Sequence, residues 1–395
     1  MIAATEKNDY DLFDEGYVAD PSKRWAKFRA ECPVAHSTEY GGSWMPVRYD
    51  DVVVAARDVE TFSSAQGVSV LKIANTVDKA VVRAGGPPIG VDPPMHGWTR
   101  RLMLGAMSPK SVLSYEPGTR ALCQRLVSEI KAKGHGDTAV DYAQQLPVRV
   151  IGALMGIPEH DSDKFVEWVR AILEFAFDIE GRAKAIGELV EYMEGQVADR
   201  RVNPGDDILS HLVTVEVEGA PVPEDVILGE AVLLLVAGVD TTWSAIGSSL
   251  FHLASNPEDR RRLIAEPELL GSFIEEVLRF YSPVTMGRTT VVDTELAGCP
   301  MAKGDRVLMN FPAANRDPDH FEDSDTFIID RARNRHLAFG VGIHRCAGSN
   351  LARMEMRVAL EEWLAAIPEF EVADPSAVTW AGGQVRGPRS VPVTF

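Results

Sequence analysis

A mainly helical chain with a smaller strand-rich part is the fold class this sequence predicts. Three observations carry it. Residues 226–253 form an apolar pattern far longer than a strand, interrupted only by Gly238-Val239-Asp240-Thr241-Thr242. Four further helical patterns, over 116–133, 143–155, 161–179 and 183–201, are separated by Gly- and Pro-containing turns. Short alternating segments are confined to the N-terminal part, to about 284–310 and to about 370–395.

Composition sets the outer bounds. The 395 residues are 45% apolar and 25% charged, an ordinary globular mixture, and are read as one domain over 1–395. A net charge of -18 repels phosphate and argues against nucleic acid as a partner. Cys32, Cys123, Cys299 and Cys346 are too widely spaced for a disulfide framework or a zinc pattern, so a reducing, cytoplasmic setting is expected. The three other than Cys346 read as bland core or subsurface thiols. The first residues lack a basic segment followed by an apolar run, and no signal peptide or membrane association is expected.

Taken in order, residues 25–32 read as a short helix after Pro21 and 43–49 as a strand leaving the Gly41-Gly42 turn. Asp50 and Asp51 are expected to cap the helix that follows. Residues 66–90 mix apolar and charged groups before Gly85-Gly86-Pro87-Pro88, a composition for either a surface loop or a binding lid. Asp92-Pro93-Pro94-Met95-His96 opens the next helix, and His96 and Arg100 share a face of it. The aromatic stretch 174–178 separates two later helices and faces either a ligand or the core. Residues 219–222 form a hairpin tip or loop. Past the central helix, Glu276 and Arg279 stand one turn apart, and Val284 to Arg288 begins the strand region.

Two stretches carry chemistry. Cys346 sits in a glycine-punctuated loop just ahead of a helix over 349–365, so backbone N–H groups and the helix dipole are expected to depress its pKa and favour a thiolate. The glycines allow the loop to approach something flat and large. The second stretch is the polar break in the central helix. Asp240 is unusual in so apolar a setting unless paired, and threonine there can bond back to the preceding turn. A groove for a small ligand beside a proton-delivering pair is the functional reading; a satisfied polar kink is the plain one.

The loop reads Phe339-Gly340-x-Gly342-x-His344-x-Cys346-x-Gly348, which resembles the haem-binding signature of the cytochrome P450 family at every position. Residues 237–241 resemble the family's central-helix motif, 92–100 its DPPxHxxxR segment, and 276–279 its ExxR element. The resemblance implies a P450 fold and haem b with Cys346 as the iron ligand, whose thiolate favours O–O cleavage. It implies that His96, Arg100, Arg288 and His344 meet haem propionates, with Phe339 and Gly348 completing the cofactor loop. Asp240 and Thr241 are implied as acid and alcohol beside the oxygen site, and Glu276 with Arg279 as a structural lock. The segment 66–90 is implied to lie over the distal haem face.

The resemblance further implies a haem-thiolate monooxygenase, of the soluble bacterial type, drawing electrons from a ferredoxin and an NAD(P)H-dependent ferredoxin reductase. A basic cluster of Arg331, Arg333, Arg335, Arg345, Arg353 and Arg357 near the cysteine loop would receive that donor. The expected substrate is a small or medium hydrophobic molecule: a terpenoid, steroid, fatty acid or aromatic. Camphor-type terpenoids lead, because the interval from Pro283 to Arg288 resembles the short form in camphor hydroxylase. Val70, Leu235, Val239 and Val284 are the expected pocket wall, and residues 380–384 an expected tip within it. A monomer is expected. Two alternatives stand beside this reading: a hydrogen-peroxide-driven peroxygenase, and a non-catalytic haem sensor or carrier.

Overall fold

The computed structural model describes residues 9–71 and 86–395. Its axis is the helix Glu224–Ser255, 32 residues and so about 48 Å long. Glu224 and Asp225 in its first turn suit the positive end of the helix dipole. It stops at Asn256, whose amide and side chain both donate to the His252 carbonyl, ahead of Pro257. Among the described residues this is the one helix long and apolar enough to cross a bilayer, but 72% of its most apolar window is buried inside the protein. Its apolarity serves the core.

Helices Gln145–Leu154, Ser162–Leu173, Ile179–Val202, Leu270–Tyr281 and Ser349–Ala366 all pack against this axis. The last of these also lies along Pro109–Lys133. Gly238 is where the first of them comes closest: a Cβ there would stand 2.6 Å from the Ile151 side chain. The glycine therefore serves helix–helix approach as well as the cavity wall.

The strand part centres on a five-stranded sheet. Its strands are β1 (Val34–Ser37), β2 (Ser43–Pro46), β3 (Phe62–Ser63), β4 (Thr285–Thr290) and β5 (Arg306–Asn310), in spatial order β1-β2-β5-β4-β3. β5 pairs antiparallel with β4, setting Val307 opposite Arg288, and parallel with β2. A Cβ on Gly287 of β4 would lie 2.3 Å from the Ser69 carbonyl, so only glycine lets the segment 68–69 seal that strand.

Local expectations hold with shifted boundaries. The helix expected from 116 begins at Pro109, because Ser108 accepts from the Ser111 amide and Pro109 suits the first turn. The pattern over 161–179 ends early, at Leu173, and the one expected from 183 starts at Ile179, where Asp178 caps it by accepting from the Gly181 amide. The hairpin at 219–222 is present, with Glu216–Val217 paired to Ala220–Pro221. Asp50 and Asp51 do not cap their helix; Arg48 holds the cap position and both acids lie in the first turn. Of the segment 66–90, residues 72–85 lie outside the described residues.

Candidate active site

The cysteine loop is built by one hydrogen bond and two left-handed glycines. The Cys346 amide donates to the Phe339 carbonyl at 2.8 Å, and Gly340 and Gly342 take φ of 67° and 79°. A Cβ on Gly342 would stand 3.0 Å from the Ala56 carbonyl, so the loop also rests directly on the helix Tyr49–Arg57. Gly348 caps Ser349–Ala366, and its amide hydrogen-bonds to the Cys346 sulfur. Arg353 stacks 4.4 Å over the Phe339 ring and clamps Glu275 with two bonds of 2.6 and 2.7 Å.

The expected depression of the thiol pKa is overturned here. Burial pushes the Cys346 thiol up, outweighing the Gly348 amide and the fields of Arg100, Arg345 and Arg353. The expected helix-end donor is present in the Gly348 amide, but desolvation of the sulfur opposes it. Coordination to a metal reverses the balance, because a coordinating thiol is deprotonated outright.

Cys346 opens onto a cavity of about 1460 Å³, mouth included. The central helix lines the same cavity, to which it presents Leu233, Leu234, Ala237, Gly238, Thr241, Thr242 and Ala245. That series follows helical spacing, and it decides two of the expected pocket positions. Leu235 and Val239 lie on the other face, fully buried in the main core, and do not line the cavity. Val70 is buried with Tyr10, Tyr17, Trp25 and Met45 in a separate cluster beside the sheet. Val284 lines the cavity as expected, joined by Pro88, Ile89, Met103, Met107 and Ile151. The turn after strand Thr379–Ala381 is not in the cavity; Gly382 and Gly383 press on Leu12, Val18 and Phe13.

Four nitrogen-bearing side chains converge at one edge. Arg100, Arg288 and His344 line the cavity, and the His96 ring stands 4.4 Å from that of His344. Burial, with Arg288, His96 and Arg100 close by, pushes His344 down to about 3, and burial lowers Arg288 to about 10. Asp92, the acid whose field reaches Arg288, is occupied by the Ser63 hydroxyl and Ser64 amide. Among the described residues, His96 Nε2 and Arg288 Nε are buried without a hydrogen-bond partner. Two guanidinium groups with two neutral imidazoles at the edge of an apolar cavity fit a flat apolar group with anionic, hydrogen-bond-accepting substituents there, which is the shape of haem with its propionates.

Asp240 does not line the cavity. It is buried, and its Oδ1 accepts from Arg389 at 2.7 Å, while Oδ2 has no partner among the described residues. Arg389 also donates to Ser244 and Glu174 and lies 4.2 Å over the Trp243 ring. Burial raises the Asp240 pKa against the pull of Arg389. The next residue, Thr241, faces the cavity and donates its hydroxyl to the Ala237 carbonyl at 2.9 Å. Arg389 was not anticipated: 149 residues separate it from Asp240, and no local pattern marks it. Cavity-lining Glu355, held neutral up to about 8 by burial, also went unnoticed because it reads as one more polar helix position.

Glu276 and Arg279 form a fully buried bidentate pair at 2.8 Å. Arg279 donates onward to the carbonyls of Asn315, Ser324 and Thr326, and Glu276 accepts from Ile328, Arg331 and Asn334. The pair thus ties the segment before the cysteine loop to its helix. Half of the expected basic cluster is spent in the same way: Arg331 on Glu276, Arg353 on Glu275, Arg357 on Glu116 and Glu361. Arg333, Arg335 and Arg345 remain exposed.

Known proteins agree with this architecture. A family model described as cytochrome P450 matches residues 170–376. Mycinamicin IV hydroxylase/epoxidase of Micromonospora griseorubida is 35% identical over 361 residues, covering 89% of each chain. Linalool 8-monooxygenase of Pseudomonas putida is 32% identical, covering 90% of this chain and 91% of its own. The crystal structure of CYP109E1 from Bacillus megaterium with testosterone superposes with a TM-score of 0.89 at 30% identity, covering 96% of this chain and 99% of that one. With similarity of this depth over nine-tenths of its length, the chain belongs to the cytochrome P450 family of monooxygenases, whose members hold haem b iron through a cysteine thiolate.

Proposed function

We propose that this protein, as one domain over 1–395, hydroxylates a small or medium hydrophobic molecule with O2 and two electrons from a ferredoxin and its NAD(P)H-dependent reductase. The observation that carries the reading is one mostly apolar cavity lined by both Cys346 and Thr241. Haem bound there supplies oxygen activation, with thiolate ligation favouring O–O cleavage. Cys346 is the iron ligand; the Gly348 amide hydrogen-bonds to its sulfur, and Phe339 lines the cavity beside it. His96, Arg100, Arg288 and His344 anchor the propionates. Asp240 takes up a proton at Oδ2 and passes it toward the Thr241 hydroxyl, which delivers it on the cavity side. Leu233, Leu234, Ala237 and Val284, with Pro88 and Ile89, hold the substrate by apolar contact.

Three relatives support an apolar substrate class. One acts on mycinamicin IV, one on linalool, and one structure holds testosterone. A terpenoid or steroid skeleton suits the mostly apolar walls here. Asp240 beside Thr241 favours the O2-dependent route over a peroxide-driven one, which needs no ordered proton supply.

Optical titration of the ferric holoprotein with terpenoids, steroids, fatty acids and aromatic acids tests the reading. The expected result is a low-to-high-spin shift with one apolar class, and a reduced carbon monoxide band at the long-wavelength position of thiolate ligation. A short-wavelength band in intact protein would remove Cys346 from the iron. In Thr241→Ala, electrons should continue to be consumed while product per electron pair falls about tenfold or more and peroxide appears. Unchanged coupling to product would refute the relay.

A further inference from the structure

Two cysteines that sequence spacing marked as unrelated are neighbours. Cys32 and Cys299 are 267 residues apart in the chain, and their sulfurs stand 3.9 Å apart. Both are partly exposed. Cys32 terminates the helix Ser22–Glu31 in an extended conformation, its amide bonded to the Phe28 carbonyl. Cys299 opens the second strand of a hairpin, Thr294–Leu296 with Cys299–Met301, directly after a tight turn with Ala297 and Gly298 at φ of 50° and 81°. A helix end and a hairpin corner are both stiff supports, so the two sulfurs are held near each other rather than meeting by excursion of a loose tail. Both lie outside the residues that line the haem cavity. The other two cysteines lack this arrangement: Cys123 is buried beside Tyr142, and Cys346 faces the cavity.

We propose that Cys32 and Cys299 are an oxidation site that closes to an intramolecular disulfide under a peroxide-class oxidant. One thiolate attacks a peroxide oxygen; the O–O bond breaks, leaving a sulfenic acid and hydroxide, which is protonated to water. The second thiol then attacks the sulfenic sulfur. The S–S bond forms, the S–O bond breaks, and a second water leaves. Two thiols lose two electrons and two protons, and one peroxide is reduced to two waters. Hydrogen peroxide is also what a monooxygenase of this family releases when electrons are consumed without product. The bond would close a loop across most of the chain and pin the N-terminal helix to the hairpin, so it raises resistance to unfolding without touching the iron ligand.

Peptide mapping of the holoprotein under non-reducing conditions, before and after hydrogen peroxide, is the test. The expected product is a linked peptide pair containing Cys32 and Cys299, lighter by two hydrogens and absent after dithiothreitol. Cys32→Ser and Cys299→Ser should each abolish it. Oxidised wild type should melt a few degrees above its reduced form, with no such rise in either variant and an unchanged reduced carbon monoxide spectrum. Stepwise oxygen addition at either cysteine without the linked pair would overturn the proposal, as would cross-links through Cys123 or between chains. This test does not depend on the substrate or electron donor.

Discussion

Asp240 shows how a single residue is made tolerable by a partner that only the folded chain supplies. An aspartate in the middle of an apolar helix is costly to bury alone, and Arg389 meets it from the strand Gly387–Ser390. That strand is pressed so closely on the central helix that a Cβ on Gly387 would stand 2.3 Å from Ser244 Oγ. The charges on Arg389 and Asp240 are almost wholly shielded from water, with side-chain exposures of 8% and 2%. Replacing one partner of such a pair leaves an uncompensated buried charge. Arg389→Gln should therefore destabilise the protein by about 3–5 kcal/mol in denaturant melts. The double variant Asp240→Asn with Arg389→Gln should recover much of that loss, since no charge is stranded on the helix. Purely additive losses would show that the pair is not coupled. The contrast between Cys346 and Arg389 marks how far sequence carries at this scale. The turns of the cysteine loop are set within a few residues of Cys346, and the glycine spacing displays them; its seat on the helix Tyr49–Arg57 has no such mark. The partner of Asp240 comes from the opposite end of the chain and has no spacing to display.

At the scale of elements, periodicity located the helices but not their phase. The central helix was legible as buried, yet its apolarity all round concealed which side meets the cavity, so Leu235 and Val239 were assigned to the wrong face. Only the neighbours of a helix fix that phase. A half-buried and a fully buried glutamate on these helices make opposite pH predictions. Glu275 on Leu270–Tyr281 overcomes its burial through hydrogen bonds from Arg353 and His336, which hold its carboxyl down to about 2. Its folded value lies below the unfolded one near 4.5, so its contribution is complete above that pH and is lost as pH falls toward 2. Glu275→Gln should cost roughly 1–3 kcal/mol at pH 7 after screening, with the difference closing toward pH 2. Glu230 on the central helix is the reverse case. It is fully buried, neither oxygen has a partner among the described residues, and burial raises it to about 9. Its folded value lies above the unfolded one, so stability falls as pH rises from about 4.5 to 9. Glu230→Gln should flatten that alkaline slope, by at most about 1.4 kcal/mol per pH unit. Thermal melts of both variants between pH 3 and 9 would expose a wrong sign in either case.

Across the whole molecule, charge works at two ranges. The chain carries a net -18, which repels an acidic protein at a distance. Near the cysteine loop the balance is local, and the ion-pair network decides which arginines are available there. Arg331, Arg353 and Arg357 neutralise internal glutamates. Arg333, Arg335 and Arg345 are exposed and enter no ion pair among the described residues, and Arg57 is exposed beside Gly342 of the loop. Both effects are screened over about one Debye length, roughly 8 Å at physiological salt, so a ferredoxin with an acidic docking face feels the exposed arginines only on close approach, and the overall repulsion reaches far only at low salt. Composition alone gave the first of these effects; the second needed the fold, because it depends on which arginines are already paired. Charge reversal separates them. Arg335→Glu or Arg345→Glu should slow reduction of the ferric protein by an acidic ferredoxin on the order of threefold to tenfold at low salt, and the penalty should shrink as salt rises. Arg357→Glu removes an internal pair instead, so its main effect should be on stability. Stopped-flow reduction across an ionic-strength series measures both. Equal rates in wild type and in the Arg335 and Arg345 variants at low salt would move the donor's docking site away from the cysteine side.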